Sequence, residues 1–535
     1  MIFRASESFE PGVAVRPAST RTASWLLFLG AVALYSLSSY AGIRSPDSEV
    51  MFETSEALVA NHSFAVSPKA SWTGFGLAPG KDGRIYSIFG PLQAVLATPL
   101  VAVADAAAER GYFTGWVSHP SLPYGNGLAI ALRRAPAQDF VAHARRAAVT
   151  WVFNSLVTAV GVTVLFWITL VLGCRVRASL ATAALYGAGS LAWPYAGTFF
   201  SEPLATTFLL LSLWRLLTIK ASGPRVQWMR LVSSGFLLGL AIATHITAVL
   251  FVPFWCWLAI GAGSWRMRWR PLLAWLGGLT PPLALLGIYN DARFGHVLET
   301  GRTALPGLAF QFGYGVWQAP WQGLHGLLLG TGKGLLLFCP AVLIGLWAWP
   351  VFYRRHHRLA LALAGAFILR WIFIACRSDW HGGFSLGPRQ LVMIVPFLIL
   401  PCAVWLEAAL AVGDRRRSVI FVVAGLAASM EQLLFVVGEI IAFFHIMALG
   451  AADTNIHIFG PEYRIYLDWE YSPLLFLLRG PRGPYLLENI HLSNPMLWVI
   501  LSTLAAATWT MMGMALIKGS DSHKLPPLPC ASGRT

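Results

Sequence analysis

The sequence predicts an all-α polytopic membrane protein of about twelve transmembrane helices, and three observations carry that expectation. Of the 535 residues, 56% are hydrophobic and only 12% charged, and mean hydropathy is +0.61. A soluble fold could not keep so much apolar surface from water. Apolar runs recur along the whole chain, each near the roughly 20 residues needed to cross a hydrocarbon core about 30 Å thick. Basic residues gather in short clusters between the runs, where they set membrane orientation.

The runs lie at about 25–43, 147–172, 178–194, 203–218, 231–247, 249–262, 271–289, 333–352, 359–376, 389–412, 418–447 and 495–517. Trp25 to Ile43 reads as a retained first span, because no A-x-A-like cleavage site follows it. A thirteenth run, Ile88 to Ala104, is interrupted by Gly90, Pro91, Gln93 and Pro99. Charge parity decides its status. If it stays out of the membrane core, the N-terminus, Arg175/Arg177, Lys220/Arg225/Arg230, Arg266/Arg268/Arg270, Arg354/Arg355/Arg358, Arg415 to Arg417 and Lys518 share one side, the cytoplasmic one. If it crossed, all five internal clusters would lie outside. The run is therefore expected as a helix at the outer interface, beside other juxtamembrane helices of the first outer loop.

The organisation that follows is a cytoplasmic tail (1–24), one transmembrane domain (25–517) and a second cytoplasmic tail (518–535). The outer loops, 44–146, 290–332, 377–388 and 448–494, are longer than most inner ones, and long loops on a rigid scaffold carry function. Chemistry is thus expected on the outer face, away from cytosolic nucleotides. The last loop, with Asp453, His457, Glu462, Asp468 and Glu470, is a plausible acceptor-side element. The net charge of +15 is explained by orientation signals, so nucleic acid is excluded as a partner. Cys174, Cys256, Cys339, Cys376 and Cys402 fall in or beside apolar runs without metal-ligand spacing and read as free thiols. No internal repeat of the secondary-transporter kind is visible.

The first outer loop opens with Ser45-Pro46-Asp47-Ser48-Glu49, where Ser45 suits an N-cap and Pro46 the first helical position. At 100° per residue Glu49, Glu53 and Glu56 share one face and Val50, Met51 and Leu58 the other, the pattern of an amphipathic surface helix with solvated glutamates. Asp47 falls on the apolar side. It either satisfies first-turn N–H groups and the helix dipole or points into a cavity at membrane level. The turn-rich Gly80-Lys81-Asp82-Gly83-Arg84-Ile85-Tyr86 offers Lys81 and Arg84 to a lipid phosphate, or to plain snorkelling.

Lys333 lies among Gly330, Gly332 and Gly334, where backbone can approach an anion or simply turn. The densest polar cluster is Asp379-Trp380-His381-Gly382-Gly383-Phe384-Ser385-Leu386-Gly387-Pro388-Arg389, preceded by Arg377. Its ionisable groups sit at the membrane boundary, where function is the default reading; the alternative is a structural Asp379–Arg389 pair. Glu202, before Pro203, either caps its helix or serves the site, and His245 near another outer helix end is either an interhelical hydrogen bonder or a ligand. Arg370 and Glu431 are the only mid-span charges that stand out.

In this order the motifs PDSE, GRIYSIFGPLQ, WPYAGTFFSEPL, NDARFGHVLETG, GTGKGLLLFCP and WHGGFSLGPR resemble the C-type (GT-C) integral-membrane glycosyltransferases, over residues 25–412. The likeness is to the bacterial branch of protein mannosyltransferases and aminoarabinose transferases. The resemblance implies a GT-C-type fold, a polyprenyl-phosphate-sugar donor, an acceptor hydroxyl from the outer side, and an essential acid that matches Asp47. It also implies a bacterial inner membrane with the active site facing outward. Two positions depart from the pattern: Ile88 stands where relatives often carry Lys, and His245 where they often carry Arg.

The expected chemistry is inverting transfer to an acceptor that is glycan, lipid or protein. Asp47 would be general base, and Arg84, Lys333 and Arg389 would stabilise charge on the departing lipid phosphate. Tyr86, Glu202, His245, Asp379 and His381 are further candidates. No metal or other cofactor is expected, because no close acidic pair faces one site. The rival expectation is a transporter or flippase of a lipid-linked saccharide, against which the bare spans and one-sided charges argue.

Overall fold

The computed structural model describes residues 18–39, 43, 45–66, 76–112, 140–219, 223–261, 269–302, 317–383, 385–438, 440, 443, 464–479 and 495–518. The two tails beyond residues 18 and 518, Lys220, Arg266, Arg268, and Asp453, His457 and Glu462 of the last outer loop lie outside the described residues.

The chain is helical nearly throughout, as its apolar runs dictate. In order the helices are α1 (Ala18–Ser38), α2 (Pro46–Asn61), α3 (Leu92–Glu109), α4 (Phe140–Val171), α5 (Val176–Ala188), α6 (Ala192–Ala196) and α7 (Glu202–Leu217). There follow α8 (Pro224–Thr244), α9 (Val252–Ile260), α10 (Trp269–Phe294), α11 (Trp321–Leu329), α12 (Leu335–Phe338), α13 (Ala341–Arg355) and α14 (His357–Ala375). The last are α15 (Val395–Ile399), α16 (Pro401–Ala411), α17 (Arg415–Val437), α18 (Arg464–Leu467), α19 (Pro473–Arg479) and α20 (Pro495–Lys518). Turns of 3-10 helix at Ile246–Phe251 and Arg389–Ile394 precede α9 and α15.

Seven described helices are long and apolar enough to cross a membrane, and two shorter apolar ones accompany them. The expected twelve do not appear as twelve such helices, for a local reason. The runs at 178–194 and 333–352 are broken, the first by the Gly189–Ser190 turn between α5 and α6 and the second by Cys339-Pro340 before α13. Likewise 249–262 begins as a 3-10 turn before Val252-Pro253 and leaves only a short apolar helix. Proline fixes φ and lacks the N–H that a continuous helix requires.

The run expected at the outer interface forms α3, which by length and hydropathy qualifies as a crossing helix. One flank packs on α2 and α4, while Val95, Leu96 and Val103 stay exposed.

Helix α2 starts as its sequence dictates: Ser45 Oγ accepts from Ser48 N and Pro46 takes the first turn. It is not a surface helix, however. Glu49 and Glu53 are buried together with Val50, Met51 and Phe52, because Arg145 and Arg146 of α4, some ninety residues away in sequence, pair with its acids. The solvated glutamate face expected from periodicity is thus a buried ionic face.

After α2 the loop builds a three-stranded antiparallel sheet in the order β1 (Ala65–Val66), β3 (Ile85–Ser87), β2 (Leu77–Pro79). Helices α8 and α10 pack backbone to backbone. A Cβ on Gly235 would stand 2.0 Å from the Trp275 carbonyl oxygen, and one on Gly278 only 1.9 Å from that of Val232. Small residues here let two backbones touch, the device of helix pairs in lipid.

Candidate functional site

Charged side chains converge where several helices end on one side of the bundle. Asp47 sits in the first turn of α2, Glu202 at the start of α7, His245 just past α8, and Arg389 at the 3-10 turn that begins the 389–411 segment. The arginine clusters 354–355 and 415–417 lie at the opposite ends of their helices.

Arg389 is the hub. Its Nη1 lies 2.6 Å from Asp47 Oδ2 and its Nε 3.2 Å from Glu202 Oε1, and the guanidinium stacks 4.5 Å from the Phe200 ring. One planar fork thus joins carboxylates from two segments 155 residues apart, a task the point charge of lysine could not perform. All three side chains are largely buried. Glu202 Oε1 also stands 3.8 Å from His245 Nε2, and Nδ1 of the same ring shares a 2.8 Å hydrogen bond with Thr247 Oγ1.

Arg370, fully buried in α14, donates from Nε to the Gln390 carbonyl (2.8 Å) and from Nη1 to Thr247 Oγ1 and O (3.0 and 3.2 Å). It thereby ties the turn carrying Arg389 to the turn carrying His245, and its charge acts on Glu202. Arg302, exposed beside the set, adds a further positive charge whose field reaches Arg377, Asp379, Asp47 and Arg389. Neither Arg302 nor Arg370 was selected as a site residue from sequence. Arg370 at least was visible as a lone charge inside an apolar run, and Arg302 carried no local signal.

The loop between α14 and Arg389 is shaped by glycine. Gly382, Gly383 and Gly387 adopt φ of +69°, +68° and +54°, conformations that cost a residue with a Cβ about 1–2 kcal/mol. The expected Asp379–Arg389 alternative is not the pairing found: Asp379 takes a bidentate pair with Arg377 (2.6 and 2.5 Å). Burial would raise the Asp379 carboxyl, but the Arg377 hydrogen bonds prevail and hold it below its ordinary range. His381 accepts at Nδ1 from Gly383 N (3.0 Å) and stacks on Tyr466, centroids 4.5 Å apart at 18°. Burial, then the charge of Lys333, depresses its pKa to about 3, so the ring is neutral.

Lys333 reaches the glycine loop. Its Nζ donates to Gly383 O (2.9 Å), Ser385 O (2.5 Å) and Ser385 Oγ (3.2 Å). An ammonium has three donors, and these contacts use them on the glycine loop. The neighbouring glycines serve packing: a Cβ on Gly332 would stand 2.9 Å from Ile465 O and Tyr466 Cα. Gly332 N bonds Tyr466 O, and Thr331 Oγ1 bonds Asp468 O, so the segment around α18 docks here.

Arg84 and Tyr86 do not join the cluster. Arg84 is exposed, 3.7 Å from Asp82, and Tyr86 OH donates to Asp82 Oδ2 at 2.7 Å, which lowers that carboxyl. The Tyr86 ring instead helps to cover Arg293, whose guanidinium lies over Tyr289 and Phe294 at 3.6 and 4.4 Å. The structure therefore brings together Asp47, Glu202, His245 and Arg389, with Asp379, His381 and Lys333 on the adjoining loop. Arg370, Arg377, Arg389 and Lys333 lie among Asp47, Glu202 and Asp379, so cations exceed carboxylates. Such an excess favours an anionic occupant.

No family model matches this sequence, and no curated protein matches it. Among solved structures the chain is similar to ArnT from Cupriavidus metallidurans bound to undecaprenyl phosphate. The TM-score is 0.43 at 15% identity, covering 94% of this chain and 78% of that one. It is also similar to the apo state of that ArnT, with a TM-score of 0.42 at 14% identity over 90% of this chain and 75% of that one. At this level of likeness the functional reading rests on the chain's own side chains.

Proposed function

We propose that this protein is a GT-C-type glycosyltransferase that moves a sugar from a polyprenyl-phosphate carrier to an acceptor hydroxyl at the outer face of a bacterial inner membrane, with inversion. The observation that carries the reading is the Asp47–Arg389–Glu202 bridge at the helix ends, within a site whose cations outnumber its carboxylates. The motif order around these residues supports it.

The geometry suits the reaction in a definite way. The Arg389 fork holds Asp47 through Nη1 and Glu202 through Nε. A lipid phosphate entering the site competes for that fork, since arginine binds phosphate bidentately as it does carboxylate. Drawn toward the phosphate, Arg389 releases Asp47 Oδ2. The acceptor hydroxyl oxygen then attacks the anomeric carbon as the bond from that carbon to the phosphate oxygen breaks. The hydroxyl proton passes to Asp47, and the electron pair leaves with the polyprenyl phosphate. A phosphate leaving group needs stabilisation of developing charge more than a proton, and Arg389 supplies cationic donors for it. Donor binding would thus unmask the base.

The test is transfer from radiolabelled polyprenyl-phosphate sugars by purified protein in lipid, several sugars in parallel, wild type against Asp47→Asn. Release or transfer present in wild type and absent in the variant supports the assignment. Binding of the lipid without turnover by either form would favour a transporter or flippase of lipid-linked saccharides.

A further inference from the structure

We propose that Arg146, seconded by Arg145, is a positioning residue that sets the rotation of α2 and so aims Asp47 at Arg389. The inference deepens the proposed function, since its kinetic consequence rests on Asp47 acting as base. Its geometric content stands apart from catalysis.

Helix α2 has an unusual load for a buried helix: Asp47, Glu49, Glu53 and Glu56 within ten residues. Glu49, Glu53 and Glu56 follow the three- and four-residue spacing that places side chains on one helical face. Asp47 precedes Glu49 by two residues and points about 200° away at 100° per residue. Whatever holds the glutamates on one side therefore decides where Asp47 faces on the other.

The arginines of α4 hold them. Arg146 bridges two turns of α2, Nη1 pairing with Glu49 Oε1 and Nη2 with Glu56 Oε2 at 3.3 Å. Its guanidinium also lies 5.5 Å from the Phe52 ring. Arg145 pairs with Glu56 Oε1 through Nη2 and reaches Asp105 Oδ1 of α3 at 3.0 Å through Nη1. The clamp thus runs from α4 to α2 and on to α3. The Arg146 and Arg145 side chains are about three-quarters buried, and that of Glu49 is 3% exposed, so water screens these pairs little.

Glu53 shows that the register is chosen. It lies between the two clamped glutamates, is 4% exposed, and neither of its oxygens has a hydrogen-bond partner. Turning α2 to offer Glu53 to Arg146 would break the pairs to Glu49 and Glu56 together. The two-point grip excludes that rotation, and with it any rotation that carries Asp47 off Arg389.

The decisive experiment has a geometric and a kinetic arm, both on the full chain in lipid. In a chain whose native cysteines are replaced by alanine, Asp47→Cys and Arg389→Cys are joined by a short homobifunctional thiol cross-linker. The Asp47–Arg389 pair is then absent, and the clamp acts beside the packing of Met51 and Phe52 and the Ser55–Ala94 hydrogen bond in holding the two positions face to face. The expected result is efficient cross-linking with Arg146 present, its loss with Arg146→Met, and partial loss with Arg145→Met. In the otherwise native chain, Arg146→Met lowers kcat about 100-fold, the scale on which a displacement of about 1 Å acts, while the donor KM stays near its wild-type value. Glu49→Gln, which keeps size and removes one charge, serves where Arg146→Met fails to fold, with the same expectations. Undiminished cross-linking in Arg146→Met, or a kcat equal to wild type, overturns the proposal. If no variant and no wild-type protein turns over donor, the glycosyltransferase reading falls, and the cross-linking arm still decides the clamp.

Discussion

Arg389 and Asp47 form the shortest link between the glycine-shaped loop at 382–388 and the first outer loop, Nη1 to Oδ2 at 2.6 Å. They lie 342 residues apart along the chain. Their pairing makes the consequences of losing either one different.

Asp47→Asn keeps size and hydrogen bonding and removes only basicity. Turnover of a polyprenyl-phosphate sugar should fall about 10²- to 10⁴-fold, while the donor lipid still binds. A variant that turns over within a few-fold of wild type in the radiolabel assay would remove Asp47 from the role of base.

Arg389→Gln leaves Asp47 and Glu202 facing each other without their common cation. Breaking a buried ion pair from one side costs about 3–5 kcal/mol, so thermal unfolding in detergent should shift down. Arg389→Lys restores charge without the two-pronged geometry. It should therefore regain most of the thermal stability and little of kcat/KM, and equal recovery of both would show that only the charge matters.

Lys333→Met tests whether this lysine is a staple of the glycine loop or a ligand of donor phosphate. Loss of three hydrogen bonds to Gly383 and Ser385 should cost about 1–3 kcal/mol and increase hydrogen exchange in 382–388. Donor KM should move less than kcat; a large rise in KM with unchanged exchange would restore the phosphate-ligand role.

Glu53 makes stability depend on pH. Burial, then the charge of Glu49, raises its carboxyl from 4.5 to about 9. The folded state therefore holds this proton through a range where the unfolded chain has released it. Stability on its account is complete below about pH 4.5 and declines as pH rises toward about 9, by at most about 1.4 kcal/mol per pH unit. Glu53→Gln should flatten that slope, gaining in melting temperature most at pH 9 and little at pH 5. Parallel melting curves for the two proteins across this range would show that Glu53 finds a partner when ionised.

Gly332→Ala puts a methyl group 2.9 Å from Ile465 O and Tyr466 Cα. The segment 464–472 should detach from Thr331–Gly332, seen as faster proteolysis of the last outer loop with the helices unchanged. Unaltered cleavage would mean that the backbone absorbs the contact.

Composition and the spacing of apolar runs determined the all-helical class of this protein, because a hydrocarbon solvent leaves a backbone few ways to satisfy its own hydrogen bonds. Local chemistry also made the cap at Ser45 and the glycine loop before Arg389 legible. Asp47, Glu202, His245 and Arg389 could be picked from sequence, since a charge at the end of an apolar run stands out against its neighbours. Their assembly around one guanidinium could not be read there. Glu202 and Asp47 lie 187 and 342 residues from Arg389 along the chain, and only the packing of helix ends brings them together. The same reason hid the clamp on α2: periodicity assigned three glutamates to water, and only the fold supplied the two arginines that buried them. Arg84 and Lys333 show the converse dependence on the fold. Each is the residue type a phosphate calls for, but the fold exposes one to solvent and spends the donors of the other on backbone carbonyls, because a side chain's reach is set by what surrounds it.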